Sequence, residues 1–128
     1  MKTLLALATL LVAMTLTNFA ADKPAGSKKL YHVVSFKFKA DAKKEQIDEV
    51  VNAFRDLKTK IKVIKDFSWG TNVSPEKHDK GFTHAFILSF TSEKARDEYL
   101  VHPDHQAFGK IVGPVLADVF VVDYWAQK

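Results

Sequence analysis

Between Leu30 and Lys39 the chain alternates strictly, with Leu30, His32, Val34, Phe36 and Phe38 on one face and Tyr31, Val33, Ser35, Lys37 and Lys39 on the other. A period of two over this length predicts a strand with one buried face. The period then changes. Ile47, Val50, Val51, Phe54, Leu57 and Ile61 recur at helical spacing with charges between them. They predict a helix of about five turns that lays one apolar stripe on a sheet, with Asp41 as its candidate N-cap.

Val63–Val73 reads as a second, less regular strand, and Trp69-Gly70 suggests a bulge or bend near its end. Ser74 to Gly81 is a polar loop. Phe82, His84, Phe86, Leu88 and Phe90 share one face of a third strand. Ser92 is placed to cap a short helix running to about Leu100, and Pro103 suits the first position of a further helical stretch. Asp118–Trp125 is a fourth strand, apolar at nearly every position. The order β-α-β-β-α-β is the α+β, ferredoxin-like split βαβ arrangement with an antiparallel four-stranded sheet. Two helices can cover only one face of that four-stranded sheet. The last strand is apolar on both faces, Phe120, Val122 and Tyr124 against Val119, Val121 and Trp125. A second copy of the chain is the economical cover, so a homodimer is expected.

Length fits this single unit. Of 128 residues, the first 21 read as a secretory signal peptide: Lys2 supplies a positive start, Leu4 to Leu16 an apolar core, and Ala20-Ala21 small residues at the exit. The apolar run falls short of the about 20 residues that a spanning helix needs, although a retained anchor is the competing reading. Export, periplasmic or secreted, is therefore expected. Residues 22–29 read as a flexible lead-in, and 30–126 as the domain. The chain has no Cys, so neither disulfides nor thiol chemistry accompany export. Removing the leader takes Lys2 away and leaves 18 Lys and Arg against 15 Asp and Glu, a net charge of +3. These charges alternate in sign, and no basic stripe is interleaved with aromatics, which argues against a nucleic-acid partner. No membrane partner is expected once the leader is gone.

Several short motifs stand in series: His32-Val33-Val34-Ser35-Phe36-Lys37-Phe38-Lys39, Trp69-Gly70-Thr71-Asn72-Val73-Ser74, Gly81-Phe82-Thr83-His84-Ala85-Phe86, His102-Pro103-Asp104-His105-Gln106-Ala107-Phe108 and Val121-Val122-Asp123-Tyr124. In this order and spacing they resemble the stress-responsive α/β-barrel (Dabb) family. The resemblance implies a dimeric α/β barrel in which two sheets face each other. Members include plant stress-induced proteins, bacterial proteins without assigned activity and a plant polyketide cyclase. In the cyclase a tyrosine and a histidine near the second helix act as an acid/base pair, aided by histidines on two strands. The matching positions here are Tyr99 and His105 for the pair, and His32 and His84 on the strands.

The residues themselves point the same way. His32 and His84 lie in phase with the Phe-rich faces of their strands, where an imidazole needs a hydrogen-bond partner to offset burial. His102 and His105 flank a helix start, His102 as a cap and His105 in the first turn. Tyr99 and His105 together would give a proton donor and an acceptor beside an apolar cavity, suited to deprotonation next to a carbonyl, as in an aldol cyclisation or an isomerisation. The expected ligand-binding set is His32, His84, Tyr99, His102 and His105, with Tyr99 and His105 the candidate catalytic pair. The expected function is binding of a small hydrophobic molecule. The alternatives are an acid/base cyclase, lyase or isomerase, and a non-catalytic oligomeric stress protein whose histidines only complete the core. The i, i+3 histidine pair is a weaker pointer to metal, and no Cys or Glu cluster supports it. Neither a metal nor a cofactor is expected. His78, beside Asp79 in the polar loop, is expected to be exposed.

Overall fold

The computed structural model describes residues 28–128. The signal peptide and most of the lead-in expected from the sequence lie outside the described residues. The elements are β1 (Leu30–Phe38), α1 (Lys44–Lys60), β2 (Asp66–Thr71), β3 (His84–Phe90), α2 (Glu93–Val101), α3 (Pro103–Val112) and β4 (Leu116–Trp125), with one 3-10 turn at Gly113–Val115. The sheet order is β2-β3-β1-β4, antiparallel at every pairing, which is the ferredoxin-like α+β arrangement. No helix among the described residues is long and apolar enough to cross a membrane.

Strand β1 is central and buries Leu30, His32, Val34 and Phe36. Helix α1 lays Val50, Val51, Phe54 and Leu57 on that face. Phe54 is the hub. Its ring stacks on Phe86 with centroids 4.5 Å apart and packs against Phe108 of α3 at 4.6 Å, near Phe36 at 5.9 Å. Burying each of these rings contributes on the order of 2–3 kcal/mol, and the offset ring contacts add to that.

Local sequence accounts for most element ends. Ser92 Oγ accepts from the Ala95 N–H at 3.0 Å and so starts α2. At the α2–α3 junction His102 Nδ1 accepts from the Asp104 N–H at 3.1 Å, and Pro103 takes the first position of α3, where its missing N–H costs nothing. The cap requires an unprotonated Nδ1, so the 3.7 Å approach of the Asp104 carboxylate to that atom is not an ion pair.

Four elements have bounds that differ from the sequence reading. Helix α1 starts at Lys44, two residues beyond the reach of Asp41 as a cap, and its entry is closed by the Gln46 side chain accepting from the Lys43 N–H at 2.9 Å. Strand β2 is shorter than Val63–Val73, and Trp69-Gly70 pair regularly with Phe86 and Ala85. The irregularity lies instead between Lys37 and Phe38, where β1 slips against β4. Strand β3 begins at His84 rather than Phe82, and β4 at Leu116 rather than Asp118.

No helix among the described residues lies on the second face of the sheet. By register with β1, the side chains of Phe120, Val122 and Tyr124 lie on it with Tyr31, Val33 and Ser35, and Ile87 joins them from β3. Phe120 is 51% and Tyr124 48% exposed.

Candidate functional site

A cavity of about 160 Å³ lies between β1, β4 and helices α2 and α3, and it is not closed over β4, where Val119 and Val121 remain about half exposed. Its walls are apolar, chiefly Val34, Phe36, Phe54, Phe108, Val119 and Val121. Three polar side chains break that lining: His32, Tyr99 and His105.

Each is oriented by a neighbour. His105, in the first turn of α3, has Nδ1 3.0 Å from the Leu100 carbonyl oxygen. A carbonyl can only accept, so Nδ1 carries the proton and Nε2 of the neutral ring is a free acceptor. The ring sits 4.4 Å, centroid to centroid, from that of Tyr99. Tyr99 is buried, and burial pushes its phenol far above its ordinary basicity, so it stays O–H and serves as a donor. The Tyr99 ring meets His32 edge-on at 5.6 Å. His32 is buried too, and its Nδ1 stands 2.6 Å from Asp123 Oδ1. Burial lowers the pKa of His32, against the opposing pull of the Asp123 carboxylate, so the neutral ring is favoured near neutral pH.

No fully buried side-chain polar atom among the described residues lacks a partner. The described hydrogen bonds of His32 and His105 use Nδ1. No described hydrogen bond involves either Nε2 atom or the Tyr99 hydroxyl, and all three side chains line the cavity.

The site thus gathers three of the five residues expected from the sequence. His84 is elsewhere. It pairs with Phe36, whereas His32 pairs with Leu88, four residues or about 13 Å along β3. There it stacks on Trp69 at 6.3 Å, meets the edge of Phe38, and shares a 2.8 Å hydrogen bond between Nδ1 and Thr83 Oγ1. Its in-phase position was legible, but the covered face is longer than one cavity. His102 is absent from the lining because its ring is turned back to cap α3. His78 lies exposed in the β2–β3 loop. Among the described residues no three His, Cys, Asp or Glu side chains gather as metal ligands.

Sequence reasoning passed over Asp123 and Arg96. Asp123 faces His32 across the β1–β4 pairing, and its other oxygen accepts from Arg96 Nη1 of α2 at 2.8 Å. The available signal was phase: Asp123 is in register opposite a histidine and shares its face of β4 with the apolar Val119, Val121 and Trp125.

The fold and site together define a ferredoxin-like subunit with a His- and Tyr-lined cavity beneath its second helical layer. Residues 30–126 match the family described as Stress responsive A/B Barrel Domain (Dabb), and the chain belongs to that family. It is 38% identical over 93 residues to the Stress-response A/B barrel domain-containing protein HS1 of Arabidopsis thaliana, covering 73% of this chain and 85% of that protein. It is 28% identical over 97 residues to olivetolic acid cyclase of Cannabis sativa, covering 76% and 96%. Among solved structures, the hydroxynitrile lyase of Passiflora edulis superposes with a TM-score of 0.73 at 25% identity, over 78% of this chain and 94% of that one. A dimeric protein of unknown function and ferredoxin-like fold from Bacteroides fragilis superposes with a TM-score of 0.62 at 30% identity, over 75% and 94%.

Proposed function

We propose that this protein is a homodimer whose subunits each bind a small, neutral, carbonyl-bearing molecule, with the Tyr99 hydroxyl donating to the carbonyl oxygen. The observation that carries the reading is the fixed pair of opposite roles beside an apolar cavity: Tyr99 as donor, and His105 as acceptor through the Nε2 that its Leu100 contact leaves free. The cavity volume suits a monocyclic ligand, since an engineered cavity of about 150 Å³ takes up benzene. Export through residues 1–21 belongs to the same proposal and rests on the sequence pattern; N-terminal mass spectrometry of extracytoplasmic protein tests it, and an intact Met1 there would refute cleavage.

The same pair supports a second reading, acid/base catalysis of the cyclase, lyase or isomerase type. His105 Nε2 takes the proton from the carbon beside the carbonyl, the C–H electron pair forms the enolate C=C bond, and the oxygen that gains charge is held by the Tyr99 O–H. Two relatives bear enzyme names, a cyclase and a lyase, so the architecture is compatible with catalysis.

The test pairs binding with stability. Acetophenone is titrated into wild type, Tyr99→Phe and His105→Ala while chemical denaturation follows each variant. Tyr99→Phe is expected to weaken binding about tenfold, the worth of one hydrogen bond in an apolar site, at a stability cost under about 1 kcal/mol. A loss of several kcal/mol with unchanged binding would sink the pocket reading and leave a non-catalytic oligomeric stress protein. Solvent deuterium exchange at the acetophenone methyl group, present in wild type and lost in His105→Ala, separates catalysis from binding alone.

A further inference from the structure

We propose that Arg96 and Asp123 lock His32 as a second hydrogen-bond acceptor in the cavity, so that the site selects neutral molecules carrying a hydroxyl next to their carbonyl. The inference rests on the carbonyl-binding reading for the first half of the ligand and adds the second half.

The chain of contacts is continuous. Arg96 Nη1 donates to Asp123 Oδ2 at 2.8 Å, and Asp123 Oδ1 lies 2.6 Å from His32 Nδ1. An ionised carboxylate only accepts, so His32 Nδ1 bears the proton and the neutral ring has its lone pair at Nε2. Because two contacts hold the two oxygens of Asp123, the carboxylate cannot rotate away and let the ring take the opposite tautomer. The side chains of Asp123 and Arg96 are only 20% and 21% exposed, so water competes weakly for these bonds.

The cavity then offers one donor, the Tyr99 hydroxyl, and two acceptors, His32 Nε2 and His105 Nε2. The Tyr99 ring is in contact with both, 5.6 Å from one imidazole and 4.4 Å from the other, centroid to centroid. A bare ketone satisfies the donor alone. A compound with a hydroxyl on the adjacent carbon also uses His32, and leaves His105 for the acidic C–H. Carboxylic acids are disfavoured, because the nearby Arg96 is already engaged by Asp123 and Asp97 and both imidazoles present lone pairs.

Phenacyl alcohol and acetophenone differ by this one hydroxyl. Wild type is expected to bind the alcohol about tenfold more tightly, and the ratio of the two affinities should fall to near unity in Asp123→Asn and in Arg96→Met. Nitrogen-15 NMR of wild-type His32 should show Nδ1 protonated and Nε2 bare. Equal affinity for the two probes in wild type overturns the inference and leaves the carbonyl reading standing. Binding of neither overturns both. A wild-type His32 protonated at Nε2 refutes the lock whatever the probes do, and that measurement needs no variant to fold.

Discussion

The imidazoles divide by what their neighbours leave free. His32 and His105 each spend Nδ1 on a fixed acceptor, and His102 spends its Nδ1 accepting at a helix start. This division predicts how stability responds to acid. Burial is the largest influence on both His32 and His84, and it lowers the pKa of each. An unfolded histidine takes up its proton near pH 6.5, whereas these folded ones resist until lower pH. Between those limits the unfolded chain binds more protons, so stability is full above about pH 6.5 and falls as the pH drops below it. Urea midpoints measured from pH 7.5 to 5 should show that decline, and His32→Gln with His84→Gln should flatten it. A double variant that declines as steeply as wild type would show that other groups carry the effect. The alternation of β1 and β3 was enough to place both histidines on the covered face. The tautomers were not legible, because they depend on a carbonyl at Leu100 and a carboxylate at Asp123 that only the folded chain brings within reach.

Helices α2 and α3 form one device: α2 delivers Tyr99 and Arg96, and the His102 cap then redirects the chain so that α3 starts with His105 against Tyr99. Ser92→Ala removes the cap of α2 and should cost about 1 kcal/mol in denaturant unfolding. Gly109 gives a sharper test of the element. It lies in α3 one turn after His105 and lines the cavity, and a Cβ built there meets nothing within 4 Å. Gly109→Ala should therefore raise stability by about 0.5–1 kcal/mol, the helix-propensity difference, without a clash. Gly109→Leu should keep most of that gain yet weaken acetophenone binding by filling the cavity. Opposite signs for stability and binding mark a position left open for a ligand; a loss of both would mean that the site is already packed. Ser92 and Pro103 announced these helices in the sequence, and Ile47 to Ile61 announced α1. The start of α1 did not follow from Asp41, because Gln46 supplies its closing bond from inside the helix. The expected bend at Trp69-Gly70 failed for a related reason, since pairing with β3 holds that segment regular.

The whole subunit has two uncompensated features, and one partner addresses both. Among the described residues, the sheet face without a helix exposes Phe120, Val122 and Tyr124, and β4 is an edge strand. Such an edge, long and apolar, invites pairing with another chain. The apolar character of Asp118–Trp125 on both faces already told as much in the sequence; the partner's geometry did not, since that belongs to a second chain. Strand β4 also supplies Val119 and Val121 to the cavity wall and Asp123 to His32. A partner that clamps β4 should therefore stiffen the site as well as cover the face. Sedimentation equilibrium is expected to give the mass of two subunits, and thermal midpoints should rise with protein concentration, as they do when association and folding are linked. Phe120→Lys with Val122→Lys places charge on the free face only, since both side chains point away from the cavity-lining Val119 and Val121. That variant should sediment as one subunit with an unchanged far-ultraviolet spectrum, and should bind acetophenone more weakly although no residue touching the cavity has changed. If it becomes monomeric and binds as tightly as wild type, the cavity is complete within a single subunit and the coupling through β4 is refuted.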